Sequence, residues 1–183
     1  MTIAAFVNLA CSQEETETIT PQPEVKETTV TIEITISAFT QGNSIPAQYS
    51  CYSDEVSPKL SWSGIPEGTK TIAVILDDPH APGGTWIHWV VYGISPDDGG
   101  LPEGVPPSDT LDGGARQGKN DFGRTGYGGP CPPRGGPHRY FFKVYALDAD
   151  LVLGPGATKA DLVRKMSGSI LAQGELMGRY TRR

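Results

Sequence analysis

Glycine and proline set the tightest limits on what this chain can fold into. There are 23 glycines and 16 prolines among 183 residues. Relative to alanine, a helix interior loses about 1 kcal/mol at each glycine and about 3 kcal/mol at each proline. A helical bundle is therefore excluded, and a mainly β, loop-rich domain is expected. No Gly-X-Y period runs through the chain, so it is not collagenous. Hydrophobic residues make up 37% and charged residues 20%, which is enough apolar material for a core. The net charge of −6 argues against a nucleic-acid partner, which would require a basic face to displace counterions. The longest apolar run of the body, Ile72 to Leu76, is far too short to span a membrane.

That charge is unevenly placed. Glu14, Glu15, Glu17, Glu24 and Glu27 stand against Lys26 alone in residues 1–29. Residues 12–29 carry no aromatic side chain and two prolines, the composition of a disordered acidic tether. Before it, the apolar stretch Ile3 to Leu9 leads into Ala10-Cys11. A small residue, a cysteine and then a polar tether resemble a truncated bacterial lipoprotein signal over residues 1–11, with Cys11 as the lipidated residue. A long tether makes sense when something holds its far end, so a membrane-anchored lipoprotein of the cell envelope is expected. No Lys or Arg precedes the apolar stretch, and a cytoplasmic chain with a ragged terminus is the alternative. Membrane contact is expected only through a lipid on Cys11. Cys51 and Cys131 are the other two cysteines. An exported protein could pair them, yet a free cysteine is commonly just a small buried residue, and two free thiols are the expectation here.

Residues 30–183 read as one folded domain. Val30, Ile32, Ile34 and Ile36 alternate with Thr31, Glu33 and Thr35, the period of a half-exposed strand. Thr71 to Leu76 reads as a buried central strand stopped by Asp77-Asp78-Pro79. Trp86 to Ile94 and Arg139 to Leu147 are two more strands. Residues 95–107 and 113–137 are Gly/Pro loops, the second long enough to suggest function. Thr158 to Asp161 has the form of a capping box. After it, Leu162, Val163, Met166, Ile170 and Leu171 recur at helical spacing, so short C-terminal helices, split at Gly168, are expected.

The chemistry-bearing residues gather at strand ends. His80, His88 and His138 all lie there. Asp77 and Asp78 close one strand, with Pro79 and Pro82 fixing the chain beyond them. On a regular strand His88 would share a face with Trp86 and Val90, and His138 with Tyr140. The backbone at Gly128-Gly129 could form an anion-binding nest. Imidazoles, a phenol, exposed amides and one carboxylate suit a small oxyanion such as a phosphate monoester. The dull alternatives are a hydrogen-bonded core histidine, a turn-capping Asp78 and aromatic core at Trp86 and Tyr140. No His or Cys pair has metal-ligand spacing, so no metal or other cofactor is expected. No nucleophile elbow accompanies these residues, so no catalytic residue is assigned and no enzyme activity is expected.

The segments Asp78-Pro-His-Ala-Pro82, Thr85-Trp-Ile-His-Trp89 and Gly126-Tyr-Gly-Gly-Pro-Cys-Pro-Pro133, followed by His138-Arg-Tyr140, resemble the phosphatidylethanolamine-binding protein family, in its prokaryotic Raf-kinase-inhibitor-like branch. The likeness extends through Ile45-Pro46, Leu60-Ser-Trp62, Asn120-Asp-Phe-Gly123 and Gly178-Arg-Tyr180, over roughly residues 33–182. The resemblance implies a sandwich of two antiparallel sheets with a small anion pocket. It implies that Asp78, His88, His138 and Tyr140 are ligand-binding, with Pro82, Trp86 and the Gly129-Pro130 backbone as rim and nest. Members bind phosphate or phosphoethanolamine-type head groups, and some inhibit kinases or serine proteases through surface loops. Three departures stand out. His80 replaces the second Asp of the family's DPDAP motif and becomes a candidate modulator. Ser169 replaces a C-terminal histidine common in the branch, and Lys59 replaces a proline. The expected function is non-catalytic binding of a small phosphorylated or other anionic ligand. The alternative is inhibition of a kinase or protease partner, for which Leu101, Val105 and Leu111 of loop 95–119 are the available anchors. Association into a homodimer is left open.

Overall fold

The strand Thr71–Asp78 (β3) is buried along its whole length. Its β-branched and aliphatic residues have a neighbour strand on each side and a packed layer on each face. The computed structural model describes residues 31–182, and the proposed signal at 1–11 with Cys11 and the tether at 12–29 lie outside them. In chain order the other strands are Glu33–Ile36 (β1), Leu60–Ser63 (β2), Trp86–Ile94 (β4), Gly100–Leu101 (β5), Arg116–Gln117 (β6), His138–Leu147 (β7) and Ile170–Tyr180 (β8). One helix, Lys159–Met166 (α1), precedes β8. A five-stranded sheet runs β6-β4-β3-β7-β8 and a three-stranded sheet runs β1-β2-β5, with every strand pairing antiparallel. The mainly β fold of two antiparallel sheets expected from the sequence is the fold observed.

The alternation of β3 sorts the core into two layers. Ile72, Val74 and Leu76 join Leu60, Trp62 and Phe142 in the main cluster, which the two sheets share. Ala73 and Ile75 turn the other way, onto Leu162 and Met166 of α1. The capping box is present: Asp161 donates its N–H to the Thr158 hydroxyl, and Thr158 donates its N–H to the Asp161 carboxylate at 3.0 Å.

Three expectations are corrected. The C-terminal segment holds a single helix. Gly168, at φ +81°, ends α1's turn, and Ile170 and Leu171 begin the 11-residue strand β8. There Ala172, Gly174, Leu176 and Gly178 face inward, and a Cβ on Gly174 would lie 2.0 Å from the Ile32 carbonyl oxygen. Small residues carry the period of two in β8, so an apolar count does not reveal it. Second, Cys51 and Cys131 are bonded, with Cα atoms 5.4 Å apart. A separation of 80 positions along the chain hides that proximity from the sequence. Third, loop 113–137 contains β6 and opens on a 3-10 turn at Asp112–Gly114 that overlaps its start, and β2 and β5 also escape an apolar-run reading because they are so short. α1 packs on the sheet face opposite the sandwich interior, and Ser169 lies between α1 and β8.

Candidate functional site

Consecutive residues on a strand point to opposite faces, and this separates the aspartate pair at the end of β3. Asp77 faces the helix side and is held by Lys143 and Lys159, at 3.0 and 2.6 Å. Asp78 faces the sandwich interior and is buried. His138 Nδ1 lies 2.7 Å from Asp78 Oδ2, and the His80 backbone N–H donates to Asp78 Oδ1 at 2.8 Å. Both oxygens of this carboxylate are therefore engaged by the protein. An ionised carboxylate only accepts, so His138 carries its proton on Nδ1 and turns Nε2 elsewhere.

His88 does not keep the strand alternation expected of it. Leu76 pairs with Trp89 and Asp77 with Ile87, so His88 is the extra residue of a β-bulge. Ile87 and Val90 pack in the helix-side cluster. The bulge rotates His88 away from them to meet Tyr140, with ring centroids 5.2 Å apart. His88 Nδ1 lies 2.7 Å from the Gly128 carbonyl oxygen, while Gly128 donates its N–H to the His88 carbonyl at 2.8 Å. A carbonyl only accepts, so Nδ1 carries the proton here too. Burial pushes the His88 imidazole below its ordinary value, against weaker support from the Gly128 carbonyl and the Asp78 and Asp121 charges. The ring is accordingly neutral near pH 7, and among the described residues no hydrogen bond reaches Nε2.

Tyr140 and His138 lie on one face of β7, as the alternation requires, and Tyr140 is fully buried. Its hydroxyl satisfies hydrogen-bond geometry to no protein atom among the described residues. Burial, with the Asp78 carboxylate beside it, keeps the phenol protonated far above its usual range. It is a buried donor beside a carboxylate whose two oxygens are already engaged, with no well-aligned hydrogen bond of its own, a costly arrangement unless something else fills the position.

These groups meet at a cavity of about 280 Å³ lined by Asp78, Ala81, Pro82, Trp86, His88, Phe122, Cys131, Pro132, Pro133 and His138. Asp78, Pro82, Trp86, His88 and His138 are thus brought together as expected, with Tyr140 packed against His88. Gly129 and Pro130 are not among the lining residues. The Gly129 N–H donates to the Glu55 carboxylate at 3.1 Å, and Glu55 is also 2.6 Å from Arg124. A Cβ on Gly129 would lie 2.4 Å from the Tyr49 carbonyl oxygen. Glycine is required there by the close passage of the 49–51 backbone, and the expected nest already holds an internal carboxylate. His80 stands beside the cavity without lining it. Arg139 donates its Nε–H to His80 Nε2 at 2.9 Å, which leaves that nitrogen no proton to offer.

Phe122 is the wall residue that residue-by-residue reading misses. Its ring meets His88 at 5.3 Å and Trp86 at 5.5 Å. Its one sequence signal is its place in Asn120-Asp-Phe-Gly123, where Asp121 accepts the Ile87 N–H at 2.7 Å and so ties the loop to the bulged strand. Among the described residues no group of three or more His, Cys, Asp and Glu is arranged to hold a metal ion. No helix among them is long and apolar enough to cross a membrane.

Comparison with known proteins places the chain in a family. A family model described as phosphatidylethanolamine-binding protein matches residues 35–181. An Aquifex aeolicus protein named UPF0098 protein is 50% identical over 153 residues, covering 82% of this chain and 89% of the relative. An Escherichia coli crystal structure, YBCL, presented as a new member of the mammalian PEBP family, superposes with a TM-score of 0.78 at 35% identity, covering 83% of this chain and 99% of that one. A Mycobacterium tuberculosis chain, LppC, named provisionally as a lipoprotein, is 38% identical over 162 residues, covering 88% of this chain and 76% of the relative.

Proposed function

Because the chain belongs to the phosphatidylethanolamine-binding protein family, we propose that the cavity between β3, β4 and β7 takes a small oxyanion, phosphate or a phosphorylated head group, and that the protein works by binding it without turnover. The observation that carries this reading is the buried Tyr140 hydroxyl, for which no protein atom among the described residues has good hydrogen-bond geometry, packed on the His88 ring at a cavity where the Nδ1 atoms of His88 and His138 are already used. One donor awaits an acceptor, and each Nε2 becomes a donor on taking up a proton. A phosphoryl oxygen at this position would satisfy the phenol, and its charge would favour protonation of the rings. Because both Asp78 oxygens are engaged and His80 holds the position of a second carboxylate, no free carboxylate awaits an ammonium group. Bare phosphate is therefore preferred over phosphoethanolamine.

The inhibitor reading draws little support from loop 95–119, where Leu101 and Val105 are buried in the core and Leu111 is partly buried against it. For location, the proposal is a lipid on Cys11 at the cell envelope. LppC's name and the Cys51–Cys131 bond, which suits an oxidising compartment, support it. Labelling with a palmitate analogue, lost in Cys11→Ala, is the outcome expected; equal labelling of both chains would overturn it.

The test of the binding function is a heteronuclear NMR titration of the full chain with phosphate, phosphoethanolamine and acetate. Saturable shifts of both the His88 and His138 ring signals with phosphate are expected. Tyr140→Phe, which keeps the ring and removes the unpartnered hydroxyl, should weaken phosphate about tenfold, the worth of a hydrogen bond to a charged acceptor. A parallel screen for phosphomonoester hydrolysis should be silent. Rings that do not respond to millimolar phosphate, or measurable turnover, would refute the proposal.

A further inference from the structure

A cluster of arginines lies on the far side of the pocket's own wall. The segment Cys131–Pro133 lines the anion cavity, and the next residue, Arg134, turns into a separate groove of about 670 Å³. Arg179 and Arg182 line the same groove, together with Tyr52 and Tyr180. The backbone places these arginines against one another. Arg134 pairs with Arg182 in a β-bridge, and Arg179 stands directly across from Arg139 in the β7–β8 register. Like charges in register repel. Among the described residues, none of the four has a carboxylate within 4.0 Å, and no acidic residue lines the groove. This concentration occurs in a chain whose net charge is −6, so it is not a by-product of overall basicity.

The aromatic residues give the groove a fixed floor. Tyr52 stacks on Tyr180, with ring centroids 6.3 Å apart and planes 11° off parallel. The Arg182 guanidinium lies 4.8 Å from the Tyr52 ring centre, and the Tyr52 hydroxyl donates to the Pro132 carbonyl at 2.8 Å. A guanidinium stacked on an aromatic face keeps its N–H fork in a set direction.

We propose that this groove is a second anion site, for a ligand bearing two adjacent phosphoryl groups, in which Arg134, Arg179 and Arg182 supply the donors. A fork of N–H groups matches two phosphoryl oxygens at once, and a diphosphate offers such oxygens to more than one arginine. A monophosphate would leave part of the cluster unmet. The site shares a wall with the first pocket but none of its donors: Arg179 is on β8, Arg182 lies just past its end and Arg134 just past the shared 131–133 segment, and no imidazole takes part.

The probe is inorganic pyrophosphate, titrated at constant ionic strength into the full chain already saturated with orthophosphate. The readout is the arginine Nε–Hε NMR signals, with the His88 and His138 ring signals as internal reporters of the first pocket. Saturable shifts of Arg134, Arg179 and Arg182 are expected. The exposed double substitution Arg134→Gln/Arg182→Gln should weaken pyrophosphate about tenfold or more, the usual scale for losing a charge-assisted contact. It should leave orthophosphate binding within about twofold and the melting temperature unchanged, since surface substitutions shift stability by only about 0.5 kcal/mol. Unmoved arginine signals would overturn the proposal, as would equal shifts from sulfate at the same ionic strength. It would also be overturned if pyrophosphate bound only after Glu14, Glu15, Glu17, Glu24 and Glu27 were changed to Gln. In that case the chain's own acidic segment would be the groove's occupant.

Discussion

Removing the Cys51–Cys131 bond tests how far a single long-range link determines both stability and the pocket. The bond closes a loop of 80 residues. In the chain-entropy account, a closed loop of that length removes about 4.5 kcal/mol of conformational entropy from the denatured ensemble at 25 °C. For a protein of this size each kcal/mol moves the melting temperature by about 2–4 °C, so the whole effect is about 9–18 °C. The double variant Cys51→Ala/Cys131→Ala should therefore melt lower by that amount in circular dichroism. Wild type in excess reductant should melt with it. The ligand should feel the loss as well, because Cys131, Pro132 and Pro133 form one wall of the cavity and the Cys51 N–H donates to the Pro130 carbonyl at 3.2 Å. Thiol counting supplies the control: of three cysteines, one should titrate in the unfolded, unreduced and unlipidated chain, and all three after reduction. Three reactive thiols without reductant, or a variant melting within about 2 °C of wild type, would refute the reasoning, since the chain-entropy account requires a shift several times larger.

His88 should make stability depend on pH. Its folded value lies below the ordinary 6.5 because of burial, so its contribution is complete above about pH 6.5 and is lost as pH falls toward the folded value, where the unfolded chain takes up the proton first. The loss should vanish from urea titrations of His88→Gln. Ligand binding should run the other way. An anion raises the imidazole's proton affinity, so sulfate, which does not titrate in this range, should bind tighter as pH falls from about 8 to about 6. A pH-independent sulfate affinity would contradict the role given to Nε2. Asp77→Ala leaves the half-buried Lys143 and Lys159 ammonium groups facing each other without their shared carboxylate. It should cost about 3 kcal/mol in chemical denaturation while leaving phosphate affinity unchanged, because Asp77 points away from the cavity. His80→Asp should raise the affinity for phosphoethanolamine relative to phosphate in a competition titration; an unchanged ratio would show that position 80 does not select the head group.

Much of this protein could be read along the chain because it depends on neighbours in sequence. The glycine and proline load excludes a helical bundle, and the β-branched run 71–76 is central because its residues suit burial on both faces. The alternation across His138 and Tyr140 places both on one face whatever the partner strands are. The capping box at Thr158 and Asp161 is complete within four residues. Asp78, His88 and Trp86 could be nominated for the same reason, as could Pro82: each sits at a strand end beside a rigid turn. Other features depend on distances that local pattern does not encode. The bulge at His88 exists because β3 and β4 slip by one residue, and it alone turns that ring from the helix side toward Tyr140. Gly129 looks like a nest in sequence, but Glu55 reaches its N–H from 74 positions away. Cys51 and Cys131 bond because the loop carrying Gly129 packs against the backbone at 49–51. Ile170 and Leu171 have helical spacing, yet they extend because the edge of β7 offers a full ladder of backbone partners, and a short segment cannot weigh that gain against its own propensity. Local chemistry thus names the groups that can hold an anion, while the packing of strands distant in sequence sets which of their atoms remain free to do so.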